Sequence, residues 1–127
     1  MLIIIIPFRA TTQPERQEQL GTLLECFQRC LPSARVLVIE QGCARAFNRG
    51  ALLNIGVLIA MSAETDTICV HDVDLLPHPD LLPDYTRELP TTKVRHLANK
   101  YARYMGPEFL GGVLMMQCAV YYQVNGH

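Results

Sequence analysis

Leu2-Ile3-Ile4-Ile5-Ile6, closed by Pro7, is the stretch that decides the fold. An unbroken apolar run, β-branched after its first residue, suits a strand covered on both faces. Such a strand needs helices above and below it. Working outward, Thr12-Gln13-Pro14-Glu15 has the Thr-x-x-Glu form of a capping box, with proline tolerated in the first turn. Leu20, Leu23, Leu24, Phe27 and Leu31 then recur at helical spacing until Pro32 stops the pattern. Arg35 to Glu40 reads as a second buried strand. A second helix starts near Asn48, with Ala51, Leu52, Ile55, Leu58 and Ile59 as its apolar face, and Thr67 to His71 is a third strand. Pro77, Pro79, Pro83 and Pro90 make Leu75 to Pro90 mostly irregular. Val94 to Leu97 and Val113 to Met116 are further strand candidates, and Gln117 to Val124 is a last short helix ending at Asn125-Gly126. The alternation predicts an α/β fold with a mostly parallel sheet and helices on both faces. Ligands of such sheets sit at the carboxyl ends of the strands.

The chain has 127 residues, which suits one domain. Lys plus Arg is 11 and Asp plus Glu is 12, a net charge of −1, which removes the electrostatic case for bulk nucleic-acid or anionic-membrane binding. Hydrophobic residues are 50% and charged residues 18%, which excludes a disordered, charge-dominated chain. Cys26, Cys30, Cys43, Cys69 and Cys118 are odd in number and show no Cys-x-x-Cys spacing, so they read as thiols rather than a disulfide framework or a zinc knuckle. The apolar opening lacks a basic start and stops at Pro7. It is too short for a signal or a membrane span, as is Ala51 to Met61, so the chain is expected to be soluble.

The sharpest chemical feature is Asp72-Val73-Asp74 at the end of the third strand. One carboxylate there can ligate a hard divalent cation. The other can accept from a ribose hydroxyl or order the loop. Plain turn chemistry is the bland alternative. Pro7-Phe8-Arg9 follows the first strand directly, so Arg9 is placed to pair with phosphate and Phe8 to line a base slot; a surface arginine beside a core phenylalanine is the competing view. Phe47-Asn48-Arg49 opens the second helix, where backbone amides favour an anion and Arg49 adds charge, although Asn48 is equally a good N-cap. All three motifs belong to one sheet edge. Gly111-Gly112 permits close backbone approach or a simple turn. Lys93, Arg95, His96, Lys100 and Arg103, with Tyr101 and Tyr104, read as a solvated basic face. His71 beside Asp72 is weighed against the His-Asp metal pair of phosphohydrolases, but its strand context argues otherwise.

With these residues in place, the sequence resembles the β-1,4-galactosyltransferase family, membrane-anchored enzymes with a Rossmann-like nucleotide-sugar transferase (GT-A) fold. The matching segments are residues 3–9, 36–41, 47–56, 71–77, 110–113 and 124–126, in the family's order. His71 before Asp72-Val73-Asp74-Leu75-Leu76-Pro77 is most similar to the branch that galactosylates xylose. The resemblance implies UDP-galactose as donor, Mn²⁺ as cofactor and inverting β-1,4 transfer to a sugar acceptor such as xylose or N-acetylglucosamine. It implies donor contacts from Pro7, Phe8, Arg9, Phe47, Asn48, Arg49, Asp72, Val73 and Asp74, with Asp74 as the metal ligand. The cation would act as Lewis acid and template for the departing diphosphate.

Three departures qualify the resemblance. Ala10 and Thr11 follow Arg9 where the family continues with polar or basic residues. Phe109 stands where it usually has tyrosine. The family's tryptophan-rich segment, which carries the catalytic base, acceptor site and further metal ligands, is not found up to His127. The expectation is therefore a truncated, donor-binding half of one transferase domain over residues 1–127, with no catalytic base of its own and little activity alone. Self-association through an exposed sheet edge is expected, and Golgi location is implied only for a longer product. The alternatives are a non-catalytic nucleotide-sugar or metal-binding module, and a metal-dependent phosphohydrolase or unrelated α/β binding protein.

Overall fold

The computed structural model describes residues 1–10, 13–60, 64, 66–100 and 111–126. The apolar opening forms β1 (Leu2–Phe8), and Ile3 to Ile6 are all essentially inaccessible. Side chains alternate across a strand. Ile4, Ile6 and Phe8 therefore pack under α1 (Pro14–Cys30), with Leu23 and Phe27. Ile3 and Ile5 face α2 (Arg49–Ala60), with Leu53 and Val57. The two helices lie on opposite faces, as the pattern required. Helix α1 begins with Gln13 at the N-cap and no side-chain cap bond, while Thr12 of the expected capping box lies outside the described residues.

β2 (Arg35–Glu40) and β3 (Thr67–His71) flank β1, both parallel to it, and their bounds match the expected ones. β4 (Val94–His96) and β5 (Val113–Gln117) complete a five-stranded sheet in the order β2-β1-β3-β5-β4. β5 runs antiparallel to both β3 and β4. The expected mostly parallel sheet is thus corrected to a mixed one. The alternating βαβ pattern dictates direction through β3, and β4 still runs the same way as β3; it is β5, inserted between them, that turns back against both. The second strand is also less buried than expected, because β2 lies at an edge and its middle residues are only half covered.

Two further corrections concern helices. The buried residues of α2 are Leu52, Leu53, Gly56, Val57 and Ala60; of the face read from sequence only Leu52 is among them, while Ile55, Leu58 and Ile59 are exposed. A helix apolar almost all round carries too little contrast to set its phase. Gly56 is the closer indicator, since a Cβ there would overlap Ile5 Cγ2. The proline-rich stretch contains a 3₁₀ turn at Pro79–Leu81 and α3 (Leu82–Thr86), each with proline in its first turn where the lost N–H has no helical partner anyway. The last helix, α4 (Cys118–Gln123), ends as expected. Asn125 at φ 62° lets its N–H bond Tyr122 O at 3.1 Å and lets Gly126 N reach Tyr121 O at 3.0 Å.

Sheet order places the functional edge. The chain moves from β1 to β2 on one side, then crosses back to β3 on the other, so a crevice opens at the carboxyl ends of β1 and β3. Pro7 shapes it. Phe8 O accepts from Gln41 N on the β2 side at 2.8 Å, so Pro7, one residue earlier, faces β3. The last β1–β3 pair is Ile5 with Val70. Pro7 has no N–H to extend that ladder, and the two strands part where Asp72 begins.

Candidate functional site

The parted strand ends hold a cleft of about 300 Å³, lined by Pro7, Phe8, Arg9, Gln13, Arg16, Phe47, Arg49, Asp72, Val73 and Asp74. Of the candidate residues named from sequence, only Asn48 is missing from that lining. Its Oδ1 accepts from Ala51 N at 3.0 Å, so it caps α2. The cap nevertheless fixes where the neighbouring Arg49 starts the helix.

Arg49 reaches across to β3, and its Nε donates to Asp72 Oδ1 at 2.9 Å. Its buried Nη2 has no hydrogen-bond partner among the described residues. Asp72 is held from its other side as well, because Asp72 N donates to Gly112 O at 2.8 Å. Gly112 sits at φ 73°, a conformation that suits glycine, so Gly111-Gly112 provides close backbone approach to the site as well as a turn into β5. Arg9 Nη1 donates to Arg45 O at 2.8 Å, and its guanidinium lies 5.7 Å from the Phe47 ring centroid, within cation–π range.

Two contributors went unread in the sequence. Arg16, in the first turn of α1, places Nη1 3.3 Å from Asp74 Oδ2. A cation in the first helical turn opposes the helix dipole, and that is the signal that it has another partner. Gln41, at the end of β2, organises the loop that carries Phe47. Its Nε2 donates to Arg45 O at 3.0 Å and Ala46 O at 3.2 Å, while its Oε1 accepts from Asn48 N at 2.9 Å. Its marks were a polar residue directly after an apolar strand and its place at the end of the family-like segment 36–41, but no role was read for it.

His71 is not part of the cleft. It is fully buried, with Phe27 edge-on at 5.1 Å between ring centroids. Nδ1 lies 2.8 Å from Asp72 O, and a carbonyl only accepts, so Nδ1 carries the proton. Nε2 then accepts from Tyr85 OH at 2.8 Å. Burial pushes the ring down to about 4 from its ordinary 6.5, so it is neutral. With both nitrogens engaged inside the core, the His-Asp metal pair is ruled out at this position.

The basic face is also corrected in part. Arg95 donates to the carbonyls of Asp84, Arg87 and Glu88 at 2.7–2.9 Å, tying down the end of α3. Lys100 Nζ lies 2.5 Å from Asp84 Oδ2, and that hydrogen bond holds the Asp84 carboxyl below its usual range. Tyr101, Arg103 and Tyr104 lie outside the described residues, as do Phe109 and Leu110.

Among the described residues no group of three or more His, Cys, Asp or Glu is arranged to hold a metal. The cleft does fit a cation that travels with a ligand. Mg²⁺-like ions are commonly held by one or two carboxylates plus substrate phosphate oxygens. Asp72 and Asp74 supply the carboxylates, and three arginines stand ready for the phosphates. No helix of the described residues is long and apolar enough to cross a membrane.

A sheet whose central strands deliver paired aspartates and Arg9, with Arg16 and Arg49 added from the starts of the flanking helices, is the setting for the relationships of this chain. Residues 1–84 match the family described as the N-terminal region of glycosyl transferase group 7. The chain belongs to the β-1,4-galactosyltransferase family. Mouse β-1,4-galactosyltransferase 7 is 34% identical over 131 residues, covering 98% of this chain and 37% of the relative. The Caenorhabditis elegans xylosylprotein 4-β-galactosyltransferase is 30% identical, over 98% of this chain and 43% of that protein. The catalytic domain of Drosophila β-1,4-galactosyltransferase 7, solved with xylobiose, superposes with a TM-score of 0.78 at 28% identity, covering 98% of this chain and 52% of that one. A mutant of the Drosophila enzyme, solved with manganese, UDP-Gal and xylobiose, superposes with a TM-score of 0.71. The chain thus spans about half of the solved domain and well under half of the curated relatives.

Proposed function

We propose that this chain is the donor-binding part of a galactosyltransferase domain, and that the cleft at the ends of β1 and β3 takes UDP-galactose together with Mn²⁺. The observation that carries this reading is the convergence of Arg9, Arg16, Arg49, Asp72 and Asp74 in one cleft. Support comes from the family and from a relative solved with manganese and UDP-Gal.

In this reading Phe8 and Phe47 border the uridine, and Arg9, steadied by Phe47 and Arg45 O, faces the diphosphate. Arg49 is oriented by Asp72 and offers its remaining donors to phosphate oxygen. Val73 places Asp74 at the cleft, and Asp74 is the residue that would hold the cation. When bound, Mn²⁺ supplies Lewis-acid neutralisation of the departing diphosphate. Transfer of galactose in inverting β-1,4 fashion to a sugar acceptor also needs a general base within hydrogen-bond reach of the acceptor hydroxyl. None of the residues that line this cleft is given that role here. Acceptor transfer is expected only together with residues that supply one.

Titration calorimetry with UDP and Mn²⁺ tests the reading. Saturable UDP binding that requires Mn²⁺ is expected, and Asp74→Asn should abolish the metal-dependent part without changing Tm by more than a few degrees. UDP binding that ignores both Mn²⁺ and Asp74→Asn would refute it.

A further inference from the structure

Each carboxylate of the cleft faces an arginine from a different helix. Asp72 is fixed by a 2.9 Å bond from Arg49 Nε and by its own backbone bond to Gly112. Asp74, whose side chain is only 12% exposed, faces Arg16 at the longer distance of 3.3 Å, and Arg16 is the more exposed partner at 38%. Arg16 springs from the first turn of α1, where the helix dipole disfavours it. Three arginines against two aspartates leave the cleft with a net charge of three minus two, or +1. A lone divalent cation therefore meets a site that is already cationic and a ligand that is already paired. A diphosphate reverses both conditions, since it adds negative charge and offers the guanidinium a new fork-shaped partner.

We propose that Arg16 is the exchangeable counter-cation of Asp74. It holds the carboxylate until donor and metal bind, and it moves to the diphosphate when a divalent cation takes its place. This rests on the donor-binding reading above and adds a coupling to it. Metal and nucleotide each strengthen the other's binding because both need the same arginine to change partner, and linkage makes the effect reciprocal. Arg16 is in this sense a positioning residue for Asp74.

The test is Mn²⁺ binding, read from the loss of the free-ion electron paramagnetic resonance signal, with and without saturating UDP, on wild type, Arg16→Gln and Arg16→Lys. Melting temperatures are recorded in parallel. UDP should tighten wild-type Mn²⁺ binding by about tenfold or more. Arg16→Gln should bind Mn²⁺ alone about fivefold more tightly than wild type and lose most of the UDP effect. Arg16→Lys keeps the competing charge and should return Mn²⁺ affinity toward wild type. Equal Mn²⁺ affinity of wild type and Arg16→Gln without UDP, at matching Tm, would overturn the exchange while leaving donor binding in place. An Arg16→Gln protein that merely melts lower, with the UDP effect intact, also overturns it. If wild type captures no Mn²⁺ even with UDP, the donor reading itself fails and takes the exchange with it.

Discussion

At the scale of single residues, His71 and Asp72 are neighbours with opposite fates. Alternation along the strand turns one into the core and leaves the other at the cleft. The neutral His71 gives a definite pH dependence. Its folded pKa, about 4, lies below the ordinary 6.5, so the unfolded chain binds the extra proton between these values. Stability from the neutral ring is complete above pH 6.5 and is lost as pH falls toward 4, by about 3 kcal/mol in all. Tm measured across that window should fall. His71→Gln should melt lower at pH 7 but lose less of its remaining stability on acidification. An identical slope in both proteins would show that other groups carry the acid sensitivity. The aspartates were legible because a charged pair after an apolar strand stands out. Arg16 was not, because its partner lies 58 residues away and nothing in the local sequence connects them.

Elements were legible where the chain itself marks their ends. Thr67 to His71 and Arg35 to Glu40 were read to the residue, since turn or charged residues bracket each apolar run. Helix α2 was found but wrongly rotated. Its two faces can be told apart by substitution. Leu53 is fully buried between α2 and the sheet, and Leu53→Ala should cost about 2–5 kcal/mol in chemical denaturation. Leu58 is 67% exposed, and Leu58→Ala should change stability by no more than about 0.5 kcal/mol. The reverse ranking would restore the face read from sequence. The exposed side of α2, with Ile55 and Ile59 beside Leu58, is also the place to look for any concentration-dependent association, along with the β2 edge.

For the molecule as a whole, the α/β class and the two helical layers followed from hydrophobic pattern, because burial on both faces leaves few other solutions. Strand direction beyond β3 did not follow. Antiparallel pairing of β5 with β3 and β4 depends on the chain turning back after β4 and inserting β5 between two strands of like direction, and no local periodicity records that path. A ligand that binds only the folded state raises stability by mass action, by about 2.7 kcal/mol at a hundredfold excess over Kd. UDP with Mn²⁺ should therefore raise Tm by several degrees, and by more than the sum of the shifts each gives alone. Strict additivity in a thermal-shift series would count against a shared site. Pro7 carries one consequence for the architecture. The gap between β1 and β3 is maintained by an imide in the covalent chain, not by a side chain wedged between them, so it exists before any guest arrives. Pro7→Val would supply the missing donor opposite the His71 carbonyl, invite the strands to zip one step further, and narrow the doorway from its hinge side.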